Sequence, residues 1–184
     1  MFFAFVYFIF FDLESAAGRS SQRKSHASYC RGKGDALKLK VPTKADWGDL
    51  KVDPEVRYGY RKFGGKTIEE ALPMFVDNPI ERGAELRFST VRVVDYYIFC
   101  YVTHLLSPAS EGHSEVASVF IGLVLNRLQR YPSQFERVFD EIFPAIERVA
   151  DEQDFFDADT NIYGSFSFKR DEILALRAKR CITR

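Results

Sequence analysis

Phe135, Val138, Phe139, Ile142, Phe143, Ile146 and Val149 recur at spacings of three and four. That period lines them along one stripe of an α-helix, and a stripe so apolar must be buried against other elements. Pro144 falls inside the pattern and is expected to kink or divide the helix, because it lacks a backbone donor and crowds the carbonyl four residues earlier. Ser133 and Glu136 fit a capping box at its start. Pro132 ends the preceding apolar helix, which runs over about 115–131.

The rest of the chain after Lys44 carries the same helical texture. Residues 90–107, TVRVVDYYIFCYVTHLLS, form its most hydrophobic stretch. The uninterrupted apolar part is far too short to cross a bilayer, so the segment is expected to be the central core helix, with a strand over 86–94 as the competing assignment. Upstream, Val56, Tyr58 and Tyr60 alternate with Arg57 and Arg61, the period of a short half-buried strand. Gly64 and Gly65 then permit a turn, and Thr67 with Glu70 caps a helix carrying Ile68, Ala71, Leu72 and Phe75. Asn78-Pro79 and Gly83 punctuate its end, and RDEILALRAKR supplies a last, shorter helix. The expected fold is mainly α: a single-domain bundle of about five helices over 41–184, with room for one short strand or hairpin.

Residues 1–40 differ in kind. Ten apolar residues, Phe2–Phe11, precede Asp12 and Glu14, and then comes a Ser- and Arg-rich stretch without apolar periodicity. A bilayer span needs roughly twenty residues, so no transmembrane helix is expected here. The run has the length of a signal-peptide core, with Ser15-Ala16-Ala17 at a cleavage position, but no Lys or Arg precedes it and two acids follow it. The segment is expected to be a disordered or mis-assigned extension, with Val41 as an alternative start.

The formal net charge of zero divides unevenly: residues 1–40 hold seven Lys and Arg against three Asp and Glu, and residues 41–184 hold nineteen against twenty-three. A mildly acidic body gives no electrostatic ground for a nucleic-acid partner. Cys30, Cys100 and Cys181 show neither zinc nor redox spacing, and their odd number argues against a disulfide framework and for a reducing, cytoplasmic home.

Candidates for chemistry are few. GYRKFGGKT (59–67) resembles a phosphate-binding loop, but Gly65 occupies the lysine position and the preceding residues are charged. A glycine turn leading into an N-cap accounts for it. Asp157, Asp159 and Asn161 match positions one, three and five of a calcium-binding EF-hand loop, with helices expected on both sides. Ile162 stands where that loop needs glycine and Phe168 where it needs a bidentate glutamate; a polar turn explains the same residues. His104 and His113 can approach across a loop, with Glu115 nearby, though not at a zinc spacing. Glu69-Glu70 and Asp171-Glu172 suit helix first turns.

By elimination, the chain is expected to be a non-catalytic protein-interaction or regulatory domain of the immunity type, with a protein partner and no cofactor. One alternative is a calcium- or metal-dependent protein using Asp157, Asp159 and Asn161, or the His104, His113 and Glu115 group. Another is a peripheral membrane protein held by residues 2–11 and the basic segment after them.

Overall fold

The structure, a computed structural model, describes residues 39–182. The N-terminal anchor, the signal-peptide features and Cys30 lie outside these residues. Among the described residues there are eight α-helices, three short 3-10 turns and no strand. The mainly α architecture therefore holds.

The first helix corrects an expectation. Residues 56–63 alternate like a strand, yet they belong to α1 (Pro54–Phe63). The side chain of Asp53 accepts from the backbone N–H of Glu55 and Val56, Pro54 has the fixed φ that suits a first helical position, and Arg61 and Lys62 occupy the last turn. The buried face is Val56, Gly59 and Phe63, spaced three and four apart, while Tyr58 is exposed. The capping signals outside the alternating stretch decided the outcome.

The next turn follows the sequence closely. Gly64 closes α1, Gly65 adopts φ +78°, and Thr67 and Glu70 form the reciprocal capping box of α2 (Ile68–Asp77). The Tyr97 hydroxyl donates to the carbonyls of Phe63 and Lys66, at 2.6 and 3.0 Å. The turn is thus tied to the core through its carbonyls. The phosphate-loop resemblance is a glycine turn and an N-cap.

Asn78 ends α2 and precedes α3 (Pro79–Phe88). Gly83 does not break the chain there; it sits inside α3, where a Cβ would lie 2.4 Å from Val119 Cγ1 of the neighbouring α5 (Ser114–Arg130). Glycine at this position lets two helices approach closely. The strand considered over 86–94 is likewise helical, ending α3 and starting α4 (Val91–Leu105).

Helix α4 is the axis of the core, as its hydrophobicity implies. It packs against α2, α3, α5 and α6 (Phe139–Asp151). Trp47, Phe63, Phe75, Tyr97 and Tyr101 interlock beside it, with centroids 5.3 Å apart for Trp47–Phe63, 4.8 Å for Phe63–Tyr97 and 5.1 Å for Phe75–Tyr101. The tilted and edge-on angles match the charge distribution of aromatic rings. Tyr101 donates its hydroxyl to the Pro79 carbonyl, fixing the start of α3.

Two expectations about α6 change. No capping box forms at Ser133: residues 132–138 are a series of turns, and α6 begins at Phe139. Asp95 on α4 accepts from the Phe135 backbone N–H, and Phe135 adopts φ 64° with its ring fully buried. This anchorage to α4 displaces the helix start. Pro144 lies on the exposed side of α6, which runs on through it undivided. The last described elements are α7 (Thr160–Tyr163) and α8 (Phe166–Ile182). Helix α8 starts earlier than its charged stretch suggests, and the Ser165 hydroxyl accepts from the Phe168 N–H at its first turn.

Candidate functional site: the cleft between α1 and α3

Helices α1 and α3 flank a cleft of about 490 Å³. They come close because Gly59 faces the Glu85 Cβ, where an added methyl would sit at 3.2 Å. Glu55, Arg57, Tyr58 and Arg61 line it from α1, and Glu81, Ala84 and Glu85 from α3.

Helix α3 turns charged side chains inward. Arg82 and Glu85 are 3% and 1% exposed, whereas Ile80 and Phe88 on the same helix are 54% and 50% exposed. An ordinary amphipathic helix would do the reverse. Arg82 Nη2 lies 3.0 Å from Glu85 Oε1 and donates to Glu81 Oε2 at 2.8 Å. One guanidinium thus serves two carboxylates. Beyond that ion pair to Oε1, neither Glu85 oxygen carries a hydrogen bond, and Arg82 Nε lacks a partner as well.

The electrostatics follow from that arrangement. Burial pushes the Glu85 carboxyl from 4.5 up to about 7; Arg82 and Lys62 oppose the rise, while Glu81 and Glu55 add to it. Near neutrality the group is poised between carboxylate and acid. A buried acceptor without a donor is costly, on the order of 1–3 kcal/mol. A ligand donor reaching Glu85 would remove that cost. Tyr58 supplies an aromatic wall that is 43% exposed, with Lys62 Nζ 5.2 Å and Arg82 Cζ 6.0 Å from its ring centroid.

A second buried charged group is fully engaged. Arg127, 1% exposed, donates to Gln134 Oε1 from Nε and Nη2, and to the carbonyls of Arg87 and Ser89 from Nη1. Gln134 Nε2 donates in turn to Asp95 Oδ1 and to the Val91 carbonyl. Burial raises the Asp95 carboxyl, against the opposing bonds from Gln134 and Phe135. This network ties the ends of α3 and α5 to the 132–138 turns. Its side chains are satisfied by one another, which marks a structural role.

The residues singled out in the sequence lie elsewhere. Asp157 sits in a left-handed conformation after the 3-10 turn Gln153–Phe156. Asp159 caps α7, its Oδ1 accepting from the Asn161 N–H at 2.7 Å and from Asn161 Nδ2 at 3.0 Å. Asp159 and Asn161 therefore meet each other, as polar turn residues do. His104 and His113 do come together: Nε2 of one lies 2.8 Å from Nδ1 of the other, with the rings stacked at 4.8 Å. At that distance one nitrogen donates and the other accepts. Burial and the neighbouring His113 both hold the His104 pKa below 6.5. Glu115 stands exposed in the first turn of α5. Among the described residues, no three His, Cys, Asp or Glu side chains converge as a metal site.

Cys100 is buried, and burial pushes its thiol up to about 12, so it has no thiolate to act as a nucleophile at neutral pH. Among the described residues, no helix is long and apolar enough to cross a membrane. The Glu85 cleft escaped the sequence reasoning. Its available signal was PIERGAELRF, where Arg82, Gly83 and Leu86 share a helix face with Glu85 while Ile80 and Phe88 fall outside it. No family model, curated protein or solved structure matches the chain.

Proposed function

We propose that the helical domain is a non-catalytic protein-interaction or regulatory module that engages a protein partner through its α1–α3 face. The observation that carries this proposal is Glu85, a buried carboxyl at a surface cleft whose one close cation, Arg82, is shared with Glu81 and whose Oε2 has no hydrogen-bond partner. Exposed apolar side chains support it. Ile80 and Phe88 are exposed on α3 with the half-buried Ala84 between them at four-residue spacing, and Ala84 and Tyr58 both line the cleft. A concave polar feature with exposed apolar side chains on the same helix suits a protein surface better than a small reactive substrate.

The chemistry of the nucleophile candidates supports a non-catalytic role. The Cys100 thiol is buried and protonated, and His104 is hydrogen-bonded to His113 instead of to a serine or cysteine. A mildly acidic 41–184 region favours a protein over a nucleic acid as partner. The free Cys100 thiol is compatible with action in the cytoplasm.

Site-directed photocrosslinking in the producing cell tests the proposal. A photoreactive amino acid replacing Tyr58 is expected to give a discrete protein adduct, and one replacing Ile162, 72% exposed and outside this face, is not. Equal adducts from both positions, or none from Tyr58, would count against it.

A further inference from the structure

We propose that the α1–α3 cleft receives an arginine side chain of the partner protein, seated against Glu85 and beside the Tyr58 ring. This rests on the interaction reading above and specifies the chemistry of its partner. Glu85 is 1% exposed; its Oε1 has only the ion pair to Arg82 at 3.0 Å, shared with Glu81, and its Oε2 has no hydrogen-bond partner, so an ionised Glu85 asks for a further group that donates. Three carboxylates line the cleft, those of Glu55, Glu81 and Glu85. The nearest cation, Arg82, is divided between two of them. Arg57 and Arg61 line the cleft too, and Lys62 acts on Glu85 from α1, so the preference for a cation rests on Glu85 itself and not on the net charge of the lining.

An aromatic wall selects among donors. A guanidinium is planar, more weakly hydrated than an ammonium, and able to donate to a carboxylate while lying against a ring. Arg82 already stands in that relation to Tyr58 and Glu85 from within the fold, 6.0 Å from the ring centroid and 3.0 Å from Oε1. The Oε2 atom is left for a second donor.

The charged groups around Glu85 set the pH dependence. Arg82 and Glu81 face it from α3, Glu55 and Lys62 from α1, and Tyr101 approaches from α4 with its hydroxyl donated to Pro79. A cation binds the ionised form, so affinity falls as Glu85 gains its proton.

The test needs no identified partner. The full chain, labelled with nitrogen-15, is titrated with N-acetyl-arginine amide, with its neutral isostere N-acetyl-citrulline amide, and with acetate. Saturable shifts at the amides of Tyr58 and Glu85 are expected with the arginine compound alone. Binding is expected to be about ten-fold weaker near pH 6 than near pH 8, following the ionised fraction of Glu85. Glu85→Gln should weaken it by at least about ten-fold, and Tyr58→Leu, a surface change that leaves the fold intact, by about three-fold. Equal binding of the citrulline compound, retention in Glu85→Gln, or the same shifts with acetate would overturn the proposal. Failure here with a Tyr58 adduct in the crosslinking experiment would leave the interaction face standing without its arginine. Arginine-amide binding with no adduct would mean a site for a free guanidinium compound and would overturn the partner assignment.

Discussion

Replacing Glu85 by Gln keeps the side chain's volume and removes its ability to ionise, so comparing the two proteins across pH isolates one buried carboxyl. In the folded state its pKa is raised from 4.5 to about 7. A group raised on folding contributes stability that is fully present below about pH 4.5 and is lost as pH rises through about 7. Each pH unit in that window corresponds to about 1.4 kcal/mol. The folded wild type should therefore give up about 3 kcal/mol relative to Glu85→Gln between about pH 4.5 and pH 8. For a chain of this size that is about 6–12 °C in Tm. Asp95 is raised, Asp46 lowered and His104 lowered on folding, but all three are present in both proteins and cancel in the difference. Urea unfolding followed by far-ultraviolet circular dichroism at a series of pH values reads the difference directly. Above about pH 7 the variant should be the more stable of the two, since it no longer buries a charge whose one close cation is shared with Glu81. Parallel stability curves across the whole range would refute the claim that Glu85 is buried without adequate partners.

Gly83→Ala should lower stability by about 1–3 kcal/mol despite the better helix propensity of alanine, because its Cβ would meet the stiff Val119 side chain at 2.4 Å. Adding Val119→Ala should recover part of the loss in the same urea assay. Arg127→Ala leaves Gln134 Oε1 and the carbonyls of Arg87 and Ser89 without their donor, and is expected to cost about 3–5 kcal/mol. A cost under about 1 kcal/mol would mean that the network is dispensable. His104 should titrate below 6.5 in a side-chain NMR titration, and its contribution to stability should be present above pH 6.5 and lost as pH falls through its folded pKa. Calcium should leave the melting temperature unchanged relative to chelator, because Asp159 and Asn161 are hydrogen-bonded to each other and a ligand of the folded state would raise it.

Long, strongly periodic segments were the legible ones. Helices α4 and α5 lie where their apolar runs place them, and Thr67 and Glu70 form the expected capping box of α2. The departures fall where a signal outside a segment overrules the pattern within it. Residues 56–63 alternate like a strand, but Asp53 and Pro54 upstream of them nucleate a helix whose buried face skips Tyr58. Ser133 and Glu136 are correctly spaced for a cap, yet Gln134 and Phe135 are held by Asp95 about forty residues away, and no local signal encodes that partner.

The site was legible only in hindsight, and for a related reason. Gly83 is a turn signal in isolation and a helix–helix contact in the fold, so treating it as punctuation hid the face that Arg82 and Glu85 share. A helix that carries its charges inward and Ile80 and Phe88 outward contradicts the usual pattern. Such contradictions are where function tends to reside. The histidine pair is the converse case: the sequence puts the two rings within reach, and the hydrogen bond between them engages one nitrogen of each.

The most direct measurement is the ionisation of Glu85 itself, followed by carbon-13 NMR of its side-chain carboxyl in the full-length protein and assigned by its absence in Glu85→Gln. A midpoint near 7 is predicted, from a carboxyl buried against a shared arginine with no hydrogen bond beyond that ion pair. A midpoint at or below 4.5 would show a carboxylate that is solvated or fully paired, and would contradict the account of the α1–α3 cleft.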